Sequence, residues 1–452
     1  MAEPATVRFH LPSEPGVPMP LDFIGLSYET GQLYNPNFFS SGNRQLIELF
    51  RALSPAGLLR MGGHLSNITD WEGIGRNEPR QKEGIRHGIE DYWEWPLVDP
   101  SVQKNKRGIL TRQALKNLRG FLDATNWRLL YGLNFASGSA ARAADEADAV
   151  AALVGPHLAG FVIGNEVDGF AEDPVFRSSS YGPSAYMAEY EQWVKAIRAR
   201  VPEARFAGPD TEGNVEKWVL PFAQRTKGDL LMLTSHYYGM GPASNPAMTA
   251  ERLLQKQTPE LDHQIELVAQ ARLLGGGVPY RMDEGNSCFG GGRKGVSDAY
   301  ASALWAADYL LRAAAAGFAG VNLHGGGQGV YTPIESSETA LATPRPVYYG
   351  MLFARAFAGA SVARCPLETA ANLNAYCGNQ KGRQLLAFVN KGPEAVRIEL
   401  PAPFNTGRLN RSNLTGPALD AKTGVQFAPA GNLQSASTLE VAGYSAALLE
   451  KL

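Results

Sequence analysis

The chain has 452 residues, 44% of them hydrophobic and 19% charged, a balance that excludes a disordered polymer. Its 42 Lys and Arg against 44 Asp and Glu leave a formal charge of −2, which gives no reason to expect nucleic acid or an anionic membrane as partner. Three cysteines, none in a CxxC pair, exclude a disulfide scaffold and a zinc ribbon.

In chain order, Met1-Ala2-Glu3-Pro4 shows no basic stretch leading into an apolar one, so no signal peptide is expected from these residues; the location stays open, with export to a periplasm or the exterior still compatible. Short apolar runs follow at 23–29, 58–63, 127–134, 160–166, 206–210, 231–238, 279–284 and 320–325, rich in β-branched and aromatic residues. Helical periodicity fills the intervals, at 44–53, 112–124, 145–153, 183–200, 215–224, 259–274 and 296–315, with 346–357 closing the series. Strands alternating with helices run parallel, because a parallel crossover needs a connecting element. Eight such units predict a (β/α)8 barrel over residues 16–358. The most apolar passage, 149–164, is short of the roughly 20 residues a membrane span needs and is broken by Pro156 and His157, so no membrane insertion is expected.

Beyond 358 the pattern changes to period two, at 361–367, 374–378, 383–390, 396–400, 424–427 and 444–452, which predicts an antiparallel β-sandwich domain over 359–452. The run 7–11 has the same character, and residues 1–15 are expected to supply one strand to that sandwich. Cys365 and Cys377, twelve apart, can pair across strands if the protein is exported.

In such a barrel, chemistry sits where strands end. Two carboxylates stand there: Glu166 after the fourth run and Glu284 after the seventh, on opposite sides of the mouth. Facing carboxylates are what glycoside cleavage requires, one protonated to donate to the leaving oxygen, the other ionised. Alternation along the seventh strand turns Asp283 away from the mouth, and Asp168 lies beyond its strand end. His236 and Tyr238 share a face of the sixth strand, so the tyrosine hydroxyl can donate to Glu284. The like charge of Glu284 is expected to raise the pKa of Glu166. The seven histidines show no ligand spacing, so neither metal nor cofactor is expected. Gly290 to Gly295 fits G-x-G-x-x-G but follows the seventh strand, outside any dinucleotide-binding context; Arg293 and Lys294 in that loop read as a solvated pair, the alternative being contact with a sulfate or carboxylate on the substrate.

More specific stretches narrow the class: Gly25-Leu26-Ser27-Tyr28-Glu29, Leu59-Arg60-Met61-Gly62-Gly63, Asn165-Glu166, Ser235-His236-Tyr237-Tyr238, Glu284-Gly285-Asn286-Ser287-Cys288, and His324-Gly325-Gly326-Gly327 with Tyr331-Thr332-Pro333. Together they resemble glycoside hydrolase family 79, the β-glucuronidases and heparanases, over nearly the whole chain. The resemblance implies Glu166 as acid/base and Glu284 as nucleophile of a retaining reaction. It implies Glu29 and Asn165 as ligands of sugar hydroxyls, with Tyr238 and His324 also facing the substrate. Tyr331 and the backbone N–H groups beside it, that of Val330 included, would hold the glucuronate carboxylate. Val167 and Phe289 stand where relatives differ, the latter at a carboxylate contact. The expected activity is a monomeric, heparanase-like retaining β-glucuronidase cutting heparan sulfate-type chains internally. The alternatives are an exo-β-glucuronidase acting on terminal glucuronate, and a glycan-binding protein on an inactive barrel. The insertion 72–108 is expected to wall or extend the cleft.

Overall fold

The computed structural model describes residues 6–73, 108–172, 176–326, 329–336 and 341–451. Most of the 72–108 insertion, and Gly327 and Gln328 of the glycine turn, lie outside the described residues.

Eight parallel strands close into a barrel: Ile24–Glu29, Leu58–Gly62, Arg128–Leu133, Leu158–Ile163, Phe206–Thr211, Met232–Met240, Tyr280–Cys288 and Gly320–Gly325. The eighth pairs with the first, Val321 opposite Ile24 through Gly325 opposite Tyr28. Two of the helices in the intervals show how local pattern sets them. In Arg44–Leu53, Leu46, Ile47, Phe50 and Leu53 form the buried stripe, and the Asn43 side chain accepts from the Leu46 N–H. Arg112–Thr125 starts on Thr111 and stops at Asn126, which turns into the left-handed region.

The helix Tyr300–Ala315 is apolar nearly all round, since it lies between barrel and sandwich. Its Tyr300 hydroxyl donates to the carbonyls of Leu414 (3.0 Å) and Tyr444 (2.9 Å). Its Asp308 carboxylate accepts from Asn374 and Tyr376 and pairs with Lys391 at 2.6 Å. These are buried polar groups with partners, which welds the C-terminal sheet to the barrel.

Two sheets form the second layer system. Seven strands run in the order Val17–Pro18, Ser361–Cys365, Leu373–Gln380, Arg383–Asn390, Ser445–Lys451, Arg408–Thr415, Gln426–Gln434. Three more, Thr6–Val7, Val396–Glu399 and Thr438–Val441, cover one face of it. Val7, Phe9, Phe388, Ile398 and Leu449 belong to the core between them. Thr6–Val7 lies parallel to Val396–Glu399, so the N-terminal run crosses over to the C-terminal sheets. The strands Arg408–Thr415 and Thr438–Val441 had no counterpart among the predicted runs. In the first, only Leu409 and Leu414 are buried, too few to show a period of two.

Register shifts flank the sixth barrel strand on both sides. Toward the fifth, Thr234 pairs with Pro209 and Ser235 with Thr211, leaving Asp210 as the extra residue. Toward the seventh, Ser235 pairs with Met282 and His236 with Glu284, leaving Asp283 extra. A bulge breaks strict alternation and re-aims side chains. Both extra residues are aspartates, and both are fully buried.

Candidate active site

The barrel mouth holds a cavity of about 250 Å³ whose lining includes Glu29, Asn165, Glu166, Tyr238, Glu284, His324 and Tyr331. Seven of the eight residues expected at the site therefore meet at one place. Val330 does not. Its N–H donates to the Gly291 carbonyl at 3.0 Å, because the loop after the eighth strand is pinned onto the loop after the seventh. An N–H spent in that way cannot hold a substrate carboxylate.

Glu166 follows Ile163 by a turn in which its own φ is +51°, a left-handed conformation that a side chain other than glycine occupies at a cost, and its N–H donates to the Asp210 carbonyl at 2.7 Å. Both of its oxygens are held: Oε1 lies 2.9 Å from Nδ1 of His236, and Oε2 lies 2.9 Å from Nε2 of His64. Burial pushes the Glu166 carboxyl up, but the charges and hydrogen bonds of His64 and His236 outweigh it and hold the group well below the usual carboxylate range. The expectation of a raised pKa is corrected here: two imidazoles in contact outweigh one like charge across the cavity.

Glu284 is surrounded differently. Tyr238 donates to its Oε1 at 2.8 Å, and the Arg60 guanidinium binds its Oε2. Burial works against its charge as well, yet His324, His236 and Arg60 hold its pKa down at about 2. One oxygen of Glu166, one of Glu284 and a ring nitrogen of His236 all lie within 4.8 Å of one another.

Arg60 is the hub beneath them, a residue quoted in a motif above but given no role there. Besides Glu284 it reaches Asn165 Oδ1 at 2.7 Å, Asp210 Oδ2 at 2.5 Å and Asp283 Oδ2 at 3.5 Å. A charge between Leu59 and Met61 in an apolar strand was the available signal. Asp283 thus faces the barrel interior, contrary to alternation, because the bulge turns it there. Burial and the nearby Asp210 charge drive its pKa well up, while Arg60 and His236 draw Asp210 down against burial. Asp210, His236 and Asp283 offer three donor atoms within 4.8 Å of one another, but the Arg60 guanidinium on both carboxylates already brings the positive charge that a cation would. Asp168 stays out of the cavity lining: its oxygens accept from the Glu212 N–H (2.9 Å) and the Asn214 amide (2.7 Å), fixing the loop after the fifth strand.

Glu29 accepts from the Leu65 N–H at 2.8 Å and lies 3.4 Å from His324 Nε2. Gly63 permits this: its φ is +72°, and a Cβ there would sit 2.4 Å from the Glu29 carboxylate. Asn165 Nδ2 is buried with no partner among the described residues, so it is available to a sugar hydroxyl. The Tyr331 ring lies beside that of Tyr238, centroids 6.1 Å apart, and burial, then Glu284, push its pKa far up, which keeps it a neutral donor. Within the G-x-G-x-x-G stretch, a Cβ on Gly292 would meet the Tyr331 nitrogen at 2.6 Å, so that glycine serves loop packing.

No family model matches the chain. It is 24% identical over 401 residues to a beta-glucuronidase of Aspergillus niger, covering 82% of this chain and 71% of that one. It is 27% identical over 233 residues to a beta-glucuronidase of Neurospora crassa, covering 46% and 41%. Among solved structures, a 4-O-alpha-L-rhamnosyl-beta-D-glucuronidase from Fusarium oxysporum 12S superposes with a TM-score of 0.75 at 17% identity over 99% of both chains, a likeness of fold. A parallel barrel with an appended β-sandwich, two acids facing across its mouth, and these relatives define the protein as a glycoside hydrolase. Which glycoside it cleaves is read from the site.

Proposed function

We propose that the enzyme hydrolyses β-glucuronides with retention of configuration, Glu166 acting as acid/base and Glu284 as nucleophile. The observation that carries this is the pair itself. One oxygen of each lies within 4.8 Å of the other, which supports the short carboxyl spacing of retaining enzymes, roughly 5–5.5 Å, over the roughly 6.5–9.5 Å that leaves room for an attacking water. Glu284, held ionised near pKa 2 and steadied by Tyr238, suits attack on the anomeric carbon. Glu29 and Asn165 take sugar hydroxyls, His324 braces Glu29, and Tyr331 offers a neutral donor to the substrate carboxylate. The names of both curated relatives support the glucuronide.

The test is an aryl β-glucuronide assay with product stereochemistry read by NMR. The first product should be β-configured. Glu284→Gln should lose at least about 10⁴-fold in turnover. Glu166→Gln should lose about 10²–10⁴-fold on a poor leaving group and little on one that needs no proton. An α-configured first product, or near-wild-type rates in both variants on the poor leaving group, overturns the reading.

A further inference from the structure

Glu166 presents a difficulty as a general acid: both oxygens are engaged by imidazoles, and at neutral pH it is ionised. A carboxylate that starts without a proton must obtain one within the site. The two histidines beside it are unequal sources. His236 is 0% exposed, and its second nitrogen lies 3.5 Å from Asp210 and 3.4 Å from the Arg60 guanidinium, so its ring is locked among buried groups. His64 is 31% exposed, opens the short turn His64–Asn67 after the second strand, and lines the cavity. Its Nε2 meets the Glu166 oxygen that His236 leaves free.

We propose that His64 is the positioning residue that loads the proton onto Glu166 and takes it back, an inference that rests on Glu166 being the acid/base. The described acids that face His64 are Glu166, then Glu29 and Glu284, with Glu212 on the loop after the fifth strand. Burial works against charge on the ring, but these carboxylates hold its pKa at about 9, so the proton resides on His64 through the neutral range. In the first half-reaction the His64 Nε2–H bond breaks as Glu166 Oε2 passes a proton to the glycosidic oxygen. The bond from the anomeric carbon to that oxygen breaks, its electron pair going to the oxygen, and the bond to Glu284 forms. In the second half, water attacks the anomeric carbon, the bond to Glu284 breaks, and the proton lost by water returns through Glu166 to His64. Protons and electrons balance over the cycle.

The experiment uses the full chain and His64→Gln, which keeps an N–H toward Glu166 but carries no titrating charge. kcat/KM is followed against pH on phenyl β-glucuronide and on 2,4-dinitrophenyl β-glucuronide, whose leaving group needs no proton. The alkaline limb on the phenyl substrate should fall by at least about 1 pH unit, with a loss of about tenfold or more at pH 8, while the dinitrophenyl rate changes less than about twofold. An unmoved alkaline limb, or equal losses on both substrates, overturns the proposal. Should the variant not fold, the His64 ring resonance decides: its NMR titration midpoint should drop by at least about 1 unit in Glu166→Gln, and an unchanged midpoint overturns the proposal. If wild-type enzyme cleaves neither glucuronide, the activity reading fails; if Glu166→Gln is spared on the dinitrophenyl substrate and His64 changes nothing, only the proton-loading inference fails.

Discussion

Two arginines, each 1% exposed, lie at opposite ends of the same barrel and live in opposite surroundings. Arg60, near the C-terminal ends of the strands, is met by Glu284, Asp210 and Asp283, which outweigh burial and raise its pKa. Arg281, at the N-terminal end, donates to Asn322 Oδ1 (2.6 Å) and to the carbonyls of Asp22 (2.9 Å), Phe23 (3.3 Å) and Ala319 (3.3 Å). Burial there pulls its pKa down to about 10. One guanidinium gathers carboxyl groups at the mouth; the other satisfies backbone and amide oxygens at the floor. A barrel divides its work in this way, with chemistry at the strand ends and stability at the bottom.

The sharpest way to break that contrast is to remove each arginine in turn. Arg60→Met should cost about 10³-fold or more in kcat, since it strips Glu284 of a bound cation and leaves Asp210 without its partner. Because Arg60 helps hold Glu284 near pKa 2, losing it should move the acid limb of kcat/KM upward, Glu284 now becoming protonated at higher pH. A variant with an unchanged acid limb would mean that Arg60 does not set the state of Glu284.

Arg281→Met should show the reverse: a loss of about 2–3 kcal/mol in unfolding free energy by denaturant titration, from carbonyls left unpaired, with kcat within about threefold of wild type. A fall in kcat comparable to that of the Arg60 variant would erase the distinction between mouth and floor.

The smallest effect sharpens the mouth alone. Tyr331→Phe should weaken aryl β-glucuronide cleavage by about 1–3 kcal/mol of transition-state binding and leave the matching β-glucoside nearly unchanged. Equal losses on the two would show that the hydroxyl supports Tyr238 and does not read the carboxylate.

All eight strand runs and the helices between them were legible in the amino-acid order because each depends on neighbouring residues: an apolar run, a proline at a helix start or, in some, a side-chain cap. Arg44–Leu53, Pro183–Arg200 and Pro259–Leu274 fall where the pattern put them. Glu166 and Glu284 were legible for the same reason, since a residue at the end of a barrel strand is placed by the strand. Asp283 was misread because the rule of alternation fails at a bulge, and the bulge depends on pairing with the sixth strand. The free N–H expected of Val330 was lost to a loop nearly forty residues earlier in the chain, a contact that no local pattern encodes.

What the sequence by itself determined, then, is the barrel, the sandwich texture and the two acids that face each other across the mouth. The protonation states of those acids were decided only by the tertiary structure. Arg60 and Glu284 are 224 positions apart in the chain, and Glu166 is governed by His64, from the turn after the second strand, and His236, from the sixth strand. Charge interactions and hydrogen bonds act over a few ångströms of space. Those distances exist only after the barrel has closed, so the sequence can supply the groups without fixing which of them holds the proton.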